Sequence, residues 1–104
     1  MILYNVTVNI DNSVESEWLT WMKESHIPDV MNTGCFVRNL VCKINAESDG
    51  GTSYSIQYFC KSQVELDQYL NNHAAQLQQE HATKYSGKFA AFRTLLEVIH
   101  THEI

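Results

Sequence analysis

The two residue types that most often break regular structure are scarce in this chain. Four glycines and one proline account for five of the 104 residues, whereas average usage would give about twelve. Gly-rich or Pro-rich linkers, collagen-like repeats and disordered tails of those compositions are therefore excluded. The composition predicts one compact domain over residues 1–104 with only a few sharp turns.

Positive charge and long apolar runs are also lacking. The chain has seven Lys and Arg residues and twelve Asp and Glu residues, which gives a formal net charge of −5. Nonspecific binding to nucleic acid needs a positive field, so nucleic acid is not expected as a partner. The apolar runs are a few residues long, well short of the ~18 that a membrane helix needs, so no membrane partner is expected either.

The chain has only three cysteines, and their spacing matches no common paired motif. Cys35, Cys42 and Cys60 are odd in number and form no C-x-x-C motif, which argues against a disulfide framework, a zinc knuckle and a redox pair. His100 and His102 share a predicted strand face, but no carboxylate pattern accompanies them, so no metal is expected. The sequence predicts buried thiols in a cytoplasmic protein without a cofactor.

Hydropathy patterns predict two helices and four strands. Ile2–Ile10 alternates apolar and polar residues, as in a strand with one buried face. An apolar stripe at helical spacing follows, and Pro28 is expected to end or kink that helix. The later predicted elements are strands over 36–44 and 54–58 joined by a turn at 48–51, a long helix between Ser62 and Gly87, and a last strand over 89–100.

The order β-α-β-β-α-β is that of the ferredoxin-like α+β fold, with two helices on one face of a four-stranded antiparallel sheet. The face covered by the helices should carry Tyr4, Val6, Val8, Phe36, Leu40, Tyr54, Ile56, Tyr58, Phe92, Leu96 and Val98. The open face should carry Asn5, Thr7, Asn9, Val37, Asn39, Val41, Ser53, Ser55, Gln57, Phe59, Arg93, Leu95, Glu97 and Ile99.

This predicted open face mixes polar groups with large apolar side chains. Such a face suits closure against a second copy of the chain, with Arg93 and Glu97 as partners across the interface. The alternative is a monomer whose surface tolerates scattered apolar residues. RNA-recognition domains of the same fold stack bases on aromatic residues of the third strand, whereas the outward positions here are Ser53, Ser55 and Gln57.

The segment from Trp18 to Phe36, in which an aromatic helix runs into His26, Pro28 and Gly34, resembles the helix-one signature of the dimeric α+β barrel superfamily. The stretches 2–10, 51–58 and 89–99 look like one bacterial family of that superfamily, a domain of unknown function.

The resemblance implies a homodimer in which two sheets close into a barrel, with a pocket in each subunit between its sheet and its helices. Relatives in the superfamily include cofactor-independent monooxygenases of aromatic polyketides, muconolactone isomerases and haem-dependent chlorite dismutases. Only His26 and Pro28 match a recurrent pattern among them. The resemblance therefore implies the fold and the dimer, and it assigns no reaction.

The candidate ligand site centres on His26, at the predicted end of the first helix. A histidine there could act as a general base or orient a carbonyl group. The alternative is that His26 only caps the helix and that its aromatic neighbours belong to the core. The full candidate set comprises His26, an aromatic wall of Trp21, Tyr54 and Tyr69, Arg38 as an anion anchor, and His73 one turn after Tyr69.

Three functions remain open from the sequence. The first is a homodimeric protein that binds a small, partly apolar molecule between sheet and helices. The second is a cofactor-independent oxygenase or isomerase with His26 as acid or base. The third is a structural or partner-binding module whose cavity is filled by side chains.

Overall fold

A computed structural model describes residues 1–46 and 50–104 of the chain. The four strands form one antiparallel sheet of order β2-β3-β1-β4, which confirms the predicted ferredoxin-like α+β fold. Ser48 and Asp49 of the predicted hairpin turn lie outside the described residues. In chain order the elements are β1 (Ile2–Ile10), α1 (Glu15–Trp21), a π-helical turn (Met22–His26), α2 (Ile27–Met31), β2 (Arg38–Lys43), β3 (Thr52–Cys60), α3 (Gln63–Asn72), α4 (Ala74–Lys84) and β4 (Phe89–Glu97).

The core lies between the central strands and the helices. Every second residue of β3 from Tyr54 onward is buried, and Val8 and Ile10 of β1 are 1% and 0% exposed. The helices cover this face with Trp18 and Leu66, both 0% exposed. Burying one such side chain contributes about 1.5–3 kcal/mol relative to exposing it, so the alternating pattern of the central strands determines which face the helices cover. No helix within 1–46 and 50–104 is long and apolar enough to cross a membrane.

The first helical region continues past Pro28, so of the two predicted alternatives, an end or a kink, the helix does not end there. Pro28 has no N–H to donate to the carbonyl of Glu24, as an α-helix would require. The chain widens one turn earlier instead, and the Ile27 N–H bonds to the carbonyl of Met22, five residues before it. The predicted kink therefore takes the form of a π-helical turn, and His26 is the last residue of that turn.

The predicted long second helix is divided in two. His73 leaves α-helical geometry, at φ −130° and ψ −35°, between α3 and α4. The change in direction allows Tyr69 and Ala74 both to be buried, while Leu70 remains 40% exposed. Neither Gly nor Pro marks this break, which is why hydrophobic spacing alone did not reveal it.

The predicted faces are correct for the central strands and wrong for β4. Arg93 pairs with Val6 and Leu95 pairs with Tyr4, so Arg93, Leu95 and Glu97 lie on the helix side of the sheet. Phe92 and Leu96 lie on the open face, opposite to the prediction. The sequence of β4 has apolar residues at both parities, and an edge strand beyond the helices can keep a charged residue on the inner side.

The predicted faces of β2 are also wrong, because its alternation is shifted by one residue from the predicted one. Phe36 is 5% exposed and packs in the core, but the strand proper begins at Arg38, and Leu40 pairs with Gln57 of the open face. The segment before the strand shifts the alternation by one residue. As a result, Asn39 and Val41 lie on the helix side, and Arg38, Leu40 and Cys42 lie on the open face.

Candidate functional site

A cavity of about 40 Å³ lies between the sheet and the helices. A water molecule needs about 10–15 Å³ of such space, so the cavity holds a few waters or the polar head of a small ligand. Of the described residues that line it, Arg93 is the only exposed one, and it therefore marks the mouth. The lining residues are Tyr4, Val6, Val8, Met22, His26, Val30, Ile56, Tyr58, Tyr69, Gln78, His81, Ala91 and Arg93.

His26 brings an unsatisfied nitrogen to the cavity wall. Its Nδ1 is buried and has no hydrogen-bond partner, and its ring stacks on Trp21 at 5.0 Å between centroids. Burial lowers the pKa of His26, and the nearby Asp29 carboxylate acts in the opposite direction. The imidazole is therefore neutral near pH 7. A buried polar atom without a partner is costly and rare, and π-helical turns are frequent at functional sites.

His81 is the second imidazole of the cavity, 5.8 Å from the His26 ring. The indole N–H of Trp18 donates to His81 Nε2 at 2.9 Å. Because an indole can only donate, this nitrogen carries no proton, and the neutral His81 carries its proton on Nδ1. Burial first, and then electrostatic repulsion from His26, which becomes positive only in acid, and from the Arg93 guanidinium lower the pKa of His81 to about 4.

The mouth of the cavity holds a small hydrogen-bonded group around the Tyr4 hydroxyl. Arg93 Nε donates to this hydroxyl at 3.1 Å, and Gln78 Nε2 donates to it at 3.4 Å. Tyr58 and Tyr69 line the wall beside it, and burial raises the pKa of both phenols. The phenols are therefore neutral, and the Arg93 guanidinium supplies the positive charge.

Two of the six predicted ligand residues line the cavity. His26 comes from the π-helical turn and Tyr69 from α3. Trp21 lies behind His26, where it also packs on Tyr85 at 5.5 Å. Trp21 thus supports the imidazole from the outer side and does not form the inner aromatic wall.

The structure does not bring the other three predicted residues to the cavity. Tyr54 donates a hydrogen bond to Glu15 at 2.5 Å, away from His26. Arg38 lies on the open face, with its guanidinium 5.1 Å from the centre of the Phe59 ring. His73 lies at the break between the last two helices, in a separate surface groove with Asp29.

Tyr4, His81 and Arg93 line the cavity but were not among the predicted ligand contacts. Tyr4 was predicted on the helix-covered face and Arg93 on the open face. His81 is buried, and its Nε2 accepts the hydrogen bond from Trp18. The face of β4 that carries Arg93 depends on how β4 pairs with β1, and the sequence does not show this pairing because apolar residues occur on both faces of β4.

No group of three or more His, Cys, Asp or Glu side chains in the described part of the chain is arranged to hold a metal ion.

The lowered pKa of His81 predicts a loss of stability in mild acid. The folded protein holds this histidine with a pKa of about 4, against 6.5 when it is unfolded. Between those values the unfolded state binds more protons than the folded state. The contribution of His81 to the free energy of unfolding is therefore fully present above pH 6.5 and is lost as the pH falls towards 4. The loss should be on the order of 3 kcal/mol, measured by urea unfolding at a series of pH values.

A His81→Gln variant is the control for this pH dependence. Its amide oxygen can still accept the hydrogen bond from Trp18, but it does not titrate, so most of the slope between pH 6.5 and 4 should disappear. The part due to His26 should remain. His73→Gln, which removes a histidine outside the cavity, should keep the slope of the natural chain. An unchanged slope in His81→Gln would show that the acid sensitivity has another source.

Comparison with solved structures defines the class of protein. HapK from Hahella chejuensis has a TM-score of 0.72 at 9% identity, with 100% of this chain and 98% of that chain covered. A mutant of SnoaB, a cofactor-independent oxygenase from Streptomyces nogalater, has a TM-score of 0.68 at 15% identity, covering 96% and 95%. A dimeric ferredoxin-like protein from an uncultured marine organism has a TM-score of 0.68 at 13% identity, covering both chains completely, 100% and 100%. The chain is therefore a ferredoxin-like α+β protein.

The family is established by sequence. Residues 1–99 match the model described as Domain of unknown function (DUF4286), and the chain belongs to that family. This confirms the resemblance seen in the sequence. No curated protein matches the chain significantly.

Proposed function

We propose that this protein is a homodimer that binds one small, partly apolar molecule in the cavity between the sheet and the helices of each subunit. The observation that carries the proposal is the buried, unpartnered Nδ1 of His26 at a cavity that side chains leave open. A ligand with one polar group would satisfy that nitrogen. The lining fits such a ligand, because most of its residues are apolar or aromatic and a few polar groups converge.

The proposed ligand contacts follow from the lining. His26 and Tyr69 remain from the sequence-based set, and Tyr4, His81 and Arg93 join them. Trp21 acts indirectly, because its ring holds the His26 imidazole in place. Side chains that filled the space completely would favour a structural module, whereas the cavity of about 40 Å³ leaves room for the polar head of a ligand.

The open face of the sheet supports the homodimer. Phe92 and Leu96 on this face are 63% and 44% exposed. Leu96, Leu3 and Phe59 follow one another across three strands in register, which gives a continuous apolar row. Beside it, Ser55 donates to Asn5 at 2.6 Å, so the polar positions are already hydrogen-bonded and can be buried at little cost.

The three cysteines are odd in number and unpaired, which favours a cytoplasmic location for the protein.

A second candidate function is catalytic. A neutral imidazole with a free nitrogen, beside neutral phenols in a partly closed cavity, has the properties of a general base. His26 would then take a proton from the ligand, as an isomerase or a cofactor-independent oxygenase requires. If a ligand is turned over, His26→Gln should lower the rate about a hundredfold or more; an unchanged rate would exclude this role.

Native mass spectrometry of the protein purified from its own host tests the binding function. The natural chain should carry a small molecule. Ala91 lines the cavity, so Ala91→Leu should reduce the bound fraction about tenfold by filling the space. Ala82→Leu makes the same change on an exposed helix position and should retain the ligand.

Two results would contradict the binding function. One is equal retention of the ligand by Ala91→Leu and Ala82→Leu, with circular dichroism showing both variants folded, because the ligand would then lie elsewhere. The other is a natural chain that carries no small molecule and whose unfolding temperature is raised by none of a panel of metabolites.

A further inference from the structure

The β4 register places an uncompensated positive charge at the mouth of the cavity. Arg93 lies on the helix side because it pairs with Val6, and its Nε donates to Tyr4. Among residues 1–46 and 50–104, no carboxylate forms an ion pair with its guanidinium. Its charge reaches inwards: it adds to the burial that lowers the pKa of His81, and it partly offsets the burial that raises the pKa of Tyr69. This positive charge stands out in a chain of net charge −5.

The Tyr4 hydroxyl beside Arg93 is arranged as a donor. A phenol hydroxyl can both accept and donate a hydrogen bond. The Tyr4 oxygen already accepts from Arg93 Nε and from Gln78 Nε2. The hydroxyl proton therefore needs an acceptor, and no described residue accepts it. A ligand oxygen in the cavity would be that acceptor.

The same reasoning applies to His81. Its Nε2 accepts from Trp18, so its remaining proton is on Nδ1, and the part of the chain that is described offers that proton no acceptor. Arg93, Tyr4 and His81 thus bring unpaired donors to one cavity. The described lining contains no Asp or Glu. The Asp29 carboxylate acts on the pKa of His26, but Asp29 lies outside the cavity, in the groove with His73.

We infer that the ligand of this cavity is an organic anion, a carboxylate or enolate on a small apolar skeleton, whose charged oxygens bind Arg93, Tyr4 and His81. The inference rests on the proposed binding function and adds the charge of the ligand. An anion satisfies several donors at once without bringing protons of its own. Charge-assisted bonds to a guanidinium are among the stronger hydrogen bonds in proteins.

Binding of matched carboxylates and amides tests this inference. The probes are acetate, butyrate and benzoate, each paired with its carboxamide, which has nearly the same shape and no charge. Nitrogen-edited NMR spectra of the Arg Nε–H and backbone signals report the binding. At least one carboxylate should bind about tenfold or more tightly than its amide. Arg93→Gln should remove that preference, and Arg93→Lys should retain part of it.

The control variant is Lys88→Gln, which removes one positive charge from an exposed position outside the cavity and should leave the preference intact. If each acid and its amide bind equally well, and Ala91→Leu abolishes the binding of both, the anion inference is wrong but the proposed binding in the cavity is supported. Binding of none of the six probes would overturn the inference, and a co-purified neutral molecule would overturn it while supporting the cavity function. A preference that survives Arg93→Gln would also overturn it.

Discussion

Replacing Trp18 with alanine is expected to lower the free energy of unfolding by about 3–5 kcal/mol, the largest loss foreseen for a single substitution. Trp18 is 0% exposed and packs on Tyr54 at 5.2 Å between ring centroids. Its removal leaves a cavity of indole size and also leaves His81 Nε2 without its donor. Urea unfolding at pH 7 and fixed protein concentration measures the loss.

Two variants separate the contributions of Trp18. Trp18→Phe keeps one aromatic ring in the core and removes the five-membered ring with its N–H donor, so it should cost less than the alanine substitution, about 1–3 kcal/mol. It also provides a measurement if the alanine variant does not fold. Trp21→Ala removes a half-buried indole on the outer side of His26 and should cost clearly less than Trp18→Ala. A loss below about 1 kcal/mol in Trp18→Ala would contradict the central role of this residue.

Replacing Leu96 with lysine is expected to convert the proposed dimer into monomers. Leu96 lies in the apolar row of the open face, next to Leu3. A lysine there would bury an unpaired charge at the centre of the interface, so the dissociation constant should rise about a hundredfold or more. Light scattering at micromolar concentration should show a dimer for the natural chain and a mass of 12.0 kDa for the variant.

Leu95→Lys is the matched control. Leu95 is 53% exposed and Leu96 is 44% exposed, yet they point to opposite faces of β4. A lysine at 95 remains on the helix side of an edge strand, so the dimer should persist. A monomeric mass for the natural chain would refute the dimer. A dimeric mass for Leu96→Lys would show that the interface lies on another surface.

The fold was predictable because its signals are local. The alternation in Ile2–Ile10 and in 52–60 places one face of each central strand in the core, and the helix stripes follow directly from spacing of three and four. These patterns need no knowledge of the rest of the chain. The order of elements then leaves few topologies, and the ferredoxin-like arrangement is the simplest of them.

The site was predictable only in part, because its residues meet through register. His26 and Tyr69 were identified from helix positions, which are fixed by local geometry. Arg93 was placed on the wrong face because Phe89, Phe92 and Leu96 make both parities of β4 apolar, and a shift of one residue reverses every side chain. Arg38 was misplaced by the same kind of shift, at the start of β2.

The sequence by itself determined the order of strands and helical regions, the buried faces of the two central strands, the negative net charge and the family, since these depend on composition and on patterns within short segments. The tertiary structure alone decided which side chains line the cavity. Pairing of β4 with β1 brings Arg93 to Tyr4, and helix packing brings His81 to Trp18 and His26. Contacts between residues tens of positions apart depend on the alignment of whole elements, and burial energy selects that alignment only when the chain is folded.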